Sequence, residues 1–391
     1  MADRHAMDAE YTERLRRTRE AMAQKGFGAL VVCDPANLFY LTGYNAWSFY
    51  TPQCLLVGAD APPHLFARAQ DAAGAGYTCN LPPDRIHGYP EDLVHRPGVH
   101  PFDWVSAEIR GLVPAGDVIG VECDSHFFSP RAYFALERGL PDNRFVDSDE
   151  LVNWVRVVKS PHEVQQLRIA GTIVERAMRT ACESVRPGRR QCDVVAEIMA
   201  AQATGTPEHG GDYPAIVPML PTGEAAGAPH LTWTDRPFQI GEATTIELAG
   251  AYGRYHAPLA RTVMLGEPPK QLIDTAKVIA EAMNATLAAI RPGVEIGAVH
   301  QEFDKTIRAH GMEKKSRLGY SIGIGYPPDW GERTISVRPG ETTELVAGMA
   351  LHLIPGMWTA GFGYEMSEPV VVTDTGVERL TDLPQELTIW R

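Results

Sequence analysis

The sequence has no basic run, no apolar run of membrane length and no CxxC cysteine pair. Each absence excludes a class of protein. Net charge is −13, from 49 acidic against 36 basic residues. Nucleic acid and anionic membranes recruit clustered Lys and Arg, so neither is an expected partner. No stretch approaches the roughly 18 apolar residues of a membrane span. The opening MADRHAMDAEYTERLRR is charged and lacks an apolar signal core, so the expected location is cytoplasmic. Cys33, Cys54, Cys79, Cys123, Cys182 and Cys192 are expected as core thiols, not as a disulfide framework.

What is present is an ordinary globular composition, 44% apolar, in a chain of 391 residues, long enough for two domains. Residues 10–25 read as an amphipathic helix stopped by Gly26, 29–32 as a strand and 34–44 as a loop. Further strands are expected at 54–57, 64–67 and 118–122, with helices between them. This alternation predicts an α/β domain. A boundary near 155–162 divides an N-terminal domain, 1–157, from a second, 158–391. Ser160, Pro161 and Glu163 form a capping-box signature. After it, Val164, Leu167, Ala170, Val174, Ala177, Met178 and Ala181 follow helical spacing.

The second domain carries an internal repeat. Residues 173–197 and 278–302 align at an offset of 105, with Ala177, Met178, Arg186, Pro187, Gly188, Val194 and Glu197 recurring as Ala282, Met283, Arg291, Pro292, Gly293, Val299 and Glu302. Each copy reads as helix, RPG turn, helix. A duplicated αα unit implies pseudo-symmetry, with a site between its halves.

Four segments carry a family resemblance: AGAPHLTWTDRPFQIGE (226–242), IELAGAYGRYHAPLARTVMLG (246–266), RLGYSIGIGYPPDWGERT (317–334), and AGMALHLIPGMW with GYEMSEPVVVTDTG (within 347–376). They resemble the pita-bread (creatinase/aminopeptidase, peptidase M24-like) family, and the likeness covers residues 10 to 385. It implies a mixed α/β (α+β) architecture: an N-terminal creatinase-type domain, then a pseudo-symmetric pita-bread catalytic domain. In the family's metal-dependent members five residues ligate two ions. At those positions stand Glu247, Pro258, Tyr320, Ile354 and Ser367, or Glu368 with a one-residue shift. Divalent first-row ions need three or four imidazole, thiolate or carboxylate donors, so neither a metal nor another cofactor is expected.

His230 matches the histidine that acts as general base and acid in creatinase, the metal-free member. An imidazole titrates near neutrality and can take a proton from water and return it to a leaving nitrogen. Glu247 lies among apolar neighbours in a strand and needs a partner, such as an amidinium. In a regular strand Glu365 and Glu368 face opposite ways, so only one points inward, and Glu368 is favoured. His256 is a substrate contact or a structural residue. Tyr320, Asp329 and Trp330 are expected to line the pocket, and Arg261 or Arg333 to anchor a substrate carboxylate. The loop 45–53 carries Trp47, Phe49 and Tyr50. In creatinase this segment reaches the partner subunit's site, which implies a homodimer.

Within the family, DPANLFYLTGYNAWSFY, ELAGAYGRYHAPLART and GYSIGIGYPPDWGER look most similar to the ectoine hydrolases. That resemblance implies a small-molecule partner, the compatible solute ectoine or hydroxyectoine, whose cyclic amidine is opened to N-acetyl-diaminobutyrate. His230 would supply acid/base chemistry, and Glu247 and Glu368 would bind the amidinium or attack it. Three alternatives stay open: another C–N hydrolase for guanidino or N-acyl amino acids, a non-catalytic ectoine-binding homologue, and a metallopeptidase.

Overall fold

The computed structural model describes residues 2–359 and 362–391. It divides into two compact units, Met1–Arg156 and Val157–Arg391.

In the first unit, α1 (Ala2–Lys25) ends before Gly26, whose φ of 72° only glycine adopts without strain. There follow β1 (Ala29–Val32), α2 (Pro35–Thr42), β2 (Cys54–Gly58), β3 (His64–Arg68), α3 (Ala69–Thr78), β4 (Ile86–Tyr89), α4 (Pro101–Ile109), β5 (Val118–Val121), α5 (Pro130–Gly139), β6 (Arg144–Asp147) and α6 (Leu151–Val155). The sheet runs β4-β3-β2-β1-β5-β6, parallel except where β2 pairs antiparallel with β1 and β3. The strands expected from sequence are present.

Two expectations change here. Within residues 34–44, expected as a loop, Pro35–Thr42 form a helix. Asp34 accepts from Ala36 N at 2.9 Å, Pro35 takes the first helical position, and Gly43 closes α2 at φ 73°. Of the cysteines, only Cys33 and Cys54 are buried. Cys123 is exposed, the other three are partly so, and all six are free thiols.

The second unit holds α7 (Pro161–Ser184), α8 (Gln191–Thr204), β7 (Ala243–Tyr252), β8 (Tyr255–Leu265), α9 (Lys270–Ala289), α10 (Ile296–Ala309), β9 (Gly319–Tyr326), β10 (Asp329–Val337), β11 (Ala350–Leu353), β12 (Met357–Thr359), β13 (Phe362–Tyr364), β14 (Glu368–Val372), β15 (Val377–Arg379) and β16 (Thr388–Trp390). The capping box of α7 forms reciprocally between Ser160 and Glu163. The repeat is structural. The ends of α7 and α9, and both ends of α8 and α10, stand at the sequence offset. Gly188 and Gly293 occupy the two RPG turns at φ 82° and 80°.

The main sheet runs β15-β14-β11-β9-β8-β16, with β10 on β9 and β7 on β8. The β7–β8 hairpin has a regular register, including Ile246↔Arg261, Glu247↔Ala260, Ala249↔Pro258 and Ala251↔His256. Side chains alternate across a pleat and paired residues share a face. Glu247, Ala249, Pro258, Ala260 and His256 therefore share one face. Ile246, Leu248, Gly250, Leu259 and Arg261 share the other. The second face packs on α7, so closely that a Cβ at Gly250 would collide with the backbone of Ala170 and Val174. Among the described residues no helix is long and apolar enough to cross a membrane.

Candidate active site

A cavity of about 420 Å³ opens on the Glu247 face of the hairpin. Its apolar wall is Ile216, Val217 and Met219. That segment is held to β7 by reciprocal backbone bonds between Met219 and Glu247, at 2.9 and 3.0 Å. Arg317, Tyr320, Pro328, Asp329 and Trp330 line the cavity as well, with His230 and Thr232. Of the sequence-derived candidates, the fold therefore brings together His230, Glu247, Tyr320, Asp329 and Trp330.

His230 is exposed and its backbone is left-handed at φ 65°, a conformation a histidine adopts only where its surroundings impose it. It follows a short 3₁₀ turn, Gly223–Gly227, which packs against the β12–β13 hairpin. A Cβ at Gly363 would collide with the Ala226 carbonyl, so the close approach depends on glycine.

Glu247 is 6% exposed and Glu365 is 5% exposed. Among the described residues neither carboxyl has a hydrogen-bond partner. Burial raises the Glu247 pKa well above the usual range, and the nearby charges of Glu365 and then Asp329 raise it further. Glu365 is pushed up to about 7 by burial, against the opposing charge of Lys314. Lys314 in turn is lowered to about 8 by burial. The Glu365 backbone is pinned on both sides by the Thr262 hydroxyl, which accepts from its N–H and donates to its carbonyl, each at 2.8 Å.

Tyr320 ends a chain of hydrogen bonds. Ala260 N donates to Ser367 Oγ, Ser367 Oγ meets His352 Nε2 at 2.7 Å, and His352 Nδ1 meets the Tyr320 hydroxyl at 3.0 Å. The same hydroxyl accepts from Trp330 Nε1 at 2.8 Å. Burial lowers the His352 pKa to about 3, so this imidazole is neutral. Burial, with the nearby Glu247 charge, raises the Tyr320 phenol, which therefore stays protonated. The wall facing Glu247 is thus an uncharged phenol held in place from behind.

Several sequence expectations move. Glu368 is not beside Glu247. It is fully buried and accepts from Arg261, Arg379, Thr381 and Gln385. The preference for Glu368 assumed a regular strand, whereas β13 ends at Tyr364 and β14 begins at Glu368. The break at 365–367 turns Glu365 toward Glu247 and Glu368 away. Arg261 is no substrate anchor either. It lies on the α7 face of the hairpin and donates to the carbonyls of Ala260, Ser367, Leu383 and Pro384 as well as to Glu368. His256 is structural. Its Nε2 accepts from Ala215 N at 2.9 Å, and its Nδ1 donates to the Arg254 carbonyl at 2.8 Å. Burial lowers its pKa to about 3, and neither ring nitrogen is left for a ligand. Arg333 sits on β10 at φ 58° and does not line the cavity among the described residues. Trp47, Phe49 and Tyr50 belong to the N-terminal unit. Trp47 and Tyr50 are 59% and 55% exposed there, and Phe49 packs between Trp47 and Phe127.

Two charged residues were missed, along with the apolar wall Ile216, Val217 and Met219, Thr232 and Pro328. Arg317 lines the cavity, and Lys314 lies near enough to Glu365 to bias its charge. Both precede β9 in MEKKSRLGY, which reads as an ordinary solvated charge run.

The positions where a metal-dependent relative would place its ligands make no cage. Pro258 and Ile354 have no side-chain donor. The Tyr320 and Ser367 hydroxyls are engaged in the chain to His352, and Glu368 is engaged by two arginines. Glu247 alone remains, with Glu365 beside it. Among the described residues no three His, Cys, Asp or Glu side chains converge as a metal site requires.

Comparison with known proteins places these residues in a lineage. Residues 165–374 match the model for metallopeptidase family M24, and residues 14–158 match the creatinase/prolidase N-terminal domain. The chain is 43% identical to the ectoine hydrolase of Halomonas elongata over 389 residues, covering 97% of each chain. It is equally identical, 43% over 386 residues and 98% of each chain, to an uncharacterized hydrolase/peptidase of Sinorhizobium fredii. Among solved structures it resembles dipeptidase PepE from Mycobacterium ulcerans, with a TM-score of 0.80 at 24% identity over 97% of this chain and 98% of that one. The prolidase from Pyrococcus horikoshii gives 0.80 at 19% identity over 96% of this chain and 99% of that one. At these identities the structural likeness speaks for the fold alone, the mixed α/β architecture expected from sequence.

Proposed function

The chain is a hydrolase belonging to metallopeptidase family M24, and we propose that it opens the cyclic amidine of ectoine or hydroxyectoine without a metal ion. The observation that carries the reading is the buried carboxyl of Glu247, which lines a cavity with His230 and has Glu365 close behind it, neither acid with a hydrogen-bond partner among the described residues. Burial and the neighbouring charge of Glu365 make ionised Glu247 costly, and an organic cation relieves that cost directly. An amidinium is such a cation. It is planar, donates two parallel N–H bonds to a carboxylate, and offers its flat face to Tyr320 and Trp330.

The reaction adds one water across one C–N bond. Water, or the Glu247 carboxylate ahead of water, attacks the amidine carbon between the two ring nitrogens. His230 takes the proton and returns it to the departing ring nitrogen, giving N-acetyl-diaminobutyrate. The neutral Tyr320 hydroxyl faces the charge that develops at the reacting centre. The 43% identity to an ectoine hydrolase over almost the whole chain supports this substrate class. A cytoplasmic homodimer completes the proposal, the exposed Trp47 and Tyr50 of one copy closing over the cavity of its partner.

The test is incubation with ectoine and with hydroxyectoine, with and without EDTA or phenanthroline, followed by mass spectrometry. Gain of one water, unaffected by chelator, is the expected result. Loss of turnover in chelator with rescue by Mn(II) or Zn(II) would overturn the metal-free reading. A monomer by light scattering would overturn the shared site.

A further inference from the structure

We infer that Arg317 is the specificity-determining anchor of the cavity, receiving the carboxylate of a zwitterionic substrate whose cationic ring lies toward Glu247. This rests on the cyclic-amidine reading above and adds what holds the other end of the molecule.

The charge layout calls for such an anchor. Glu247 and Asp329 are the acids that line the cavity, with Glu365 close behind Glu247, and Arg317 is the lysine or arginine among the described residues that line it. Its guanidinium lies 4.5 Å from the centre of the Tyr320 ring, and Nη1 donates to the Ser336 hydroxyl at 3.1 Å. No carboxylate pairs with it among the described residues. A guanidinium has five N–H donors in a planar fork, so one hydroxyl contact leaves a bidentate edge for a carboxylate. The platform beneath it is fixed, because Trp330 and His352 both hold the Tyr320 hydroxyl. A stacked, weakly hydrated guanidinium is suited to carboxylate recognition in a way a lysine is not.

The other cations are committed. Arg261 faces α7 and is bound to Glu368. Lys314 donates to Ser316 and to the Gly356 carbonyl and lies over the Trp358 ring. A ligand with a positive ring and a negative arm satisfies both ends of the cavity. A bare cation meets Arg317 unpaired, and a dianion meets Glu247 and Glu365.

The experiment compares ectoine with 2-methyltetrahydropyrimidine, the same ring without its carboxylate, in wild type, Arg317→Ala, Arg317→Lys and Arg333→Ala. Losing a charge-assisted hydrogen-bond pair costs roughly 10- to 150-fold. Arg317→Ala should lower kcat/KM for ectoine by that factor, mainly through KM. It should leave the carboxyl-less ring within about threefold of wild type. Arg317→Lys should fall between, and Arg333→Ala should keep the wild-type preference. An equal loss on both compounds, no loss on either, or a collapse of preference in Arg333→Ala instead would overturn the assignment. If wild type opens neither ring, the hydrolase reading fails separately. Calorimetric binding of the two compounds then decides, with a carboxylate preference that vanishes in Arg317→Ala supporting the anchor. Absence of any such preference in wild type would overturn it.

Discussion

Glu247 and Glu368 are both buried acids at positions where relatives place metal ligands, and replacing each by glutamine should produce opposite signatures. Glu368 is fully buried, with Arg261 4% and Arg379 31% exposed at its two sides. It accepts five hydrogen bonds, the shortest from Arg261 Nη2 at 2.8 Å. Removing one partner of a buried pair strands the other charge, at about 3–5 kcal/mol. Glutamine keeps an acceptor oxygen, so Glu368→Gln should fall near the lower figure and Glu368→Ala near the upper. For a unit the size of Val157–Arg391, about 3 kcal/mol corresponds to roughly 6–12 °C in Tm. Activity of the folded protein, assayed well below that Tm, should stay within about threefold of wild type.

Glu247→Gln should do the reverse. The wild-type carboxyl has a raised pKa, so above the unfolded value near 4.5 the folded state holds a proton the unfolded state has released. Stability from this group therefore falls as pH rises, and an uncharged glutamine removes that loss. Its Tm at pH 8 should equal or exceed wild type, while ectoine turnover drops about 10²–10³-fold. Circular-dichroism melts and a discontinuous turnover assay on the same preparations read both quantities. A Glu368→Gln protein with native Tm and activity reduced a hundredfold would refute the separation of roles.

The remaining predictions concern pH and packing. With Glu365 near 7 in the folded state, stability should decline by about 3 kcal/mol between pH 4.5 and 7 and then level off; Glu365→Gln should flatten that decline in urea titrations at several pH values. His256→Ala should cost about 3 kcal/mol by leaving the Ala215 N–H unpaired beside a new cavity, while the Arg254 carbonyl keeps its bond from Gly325 N–H, and should raise KM more than it lowers kcat by loosening the 216–219 wall. A denaturation midpoint within error of wild type would exclude that role. Gly250→Val drives a side chain into the α7 backbone, so about 3 kcal/mol or more should be lost and soluble yield should fall, with Ala249→Gly nearby as the milder control.

The sequence was legible where chemistry is local. The capping box at Ser160, the strands at 29–32, 54–57 and 64–67, and the repeated RPG turns are each written in a few adjacent residues, and each appears in the fold. The helix at Pro35–Thr42 was equally local, with Asp-Pro at its start and Gly43 at its end, but eight residues are too short to establish a helical period. The site was legible only for residues carried by a quoted motif, His230, Glu247, Tyr320, Asp329 and Trp330. Which of Glu365 and Glu368 faces Glu247 depended on a strand break that hydrophobic alternation does not encode. Arg317 stayed hidden because nothing in a charged loop says which of its cations will lie over a tyrosine ring. His352 reads as a core histidine until Ser367 and Tyr320, from two other segments, are seen on its two nitrogens.

The alternation of the β7–β8 hairpin has an evolutionary consequence. Positions 247, 249, 256, 258 and 260 lie on the sheet face away from α7, with Glu247 in the cavity wall, while 246, 248, 250, 259 and 261 share the face that packs on α7. A substitution at Glu247 can change the chemistry of the cavity without disturbing the contact with α7. The same geometry resists the other kind of change. A one-residue slip of either strand would turn Glu247 toward α7 or Arg261 away from it, so the hairpin tolerates replacement of its side chains better than a change of its register.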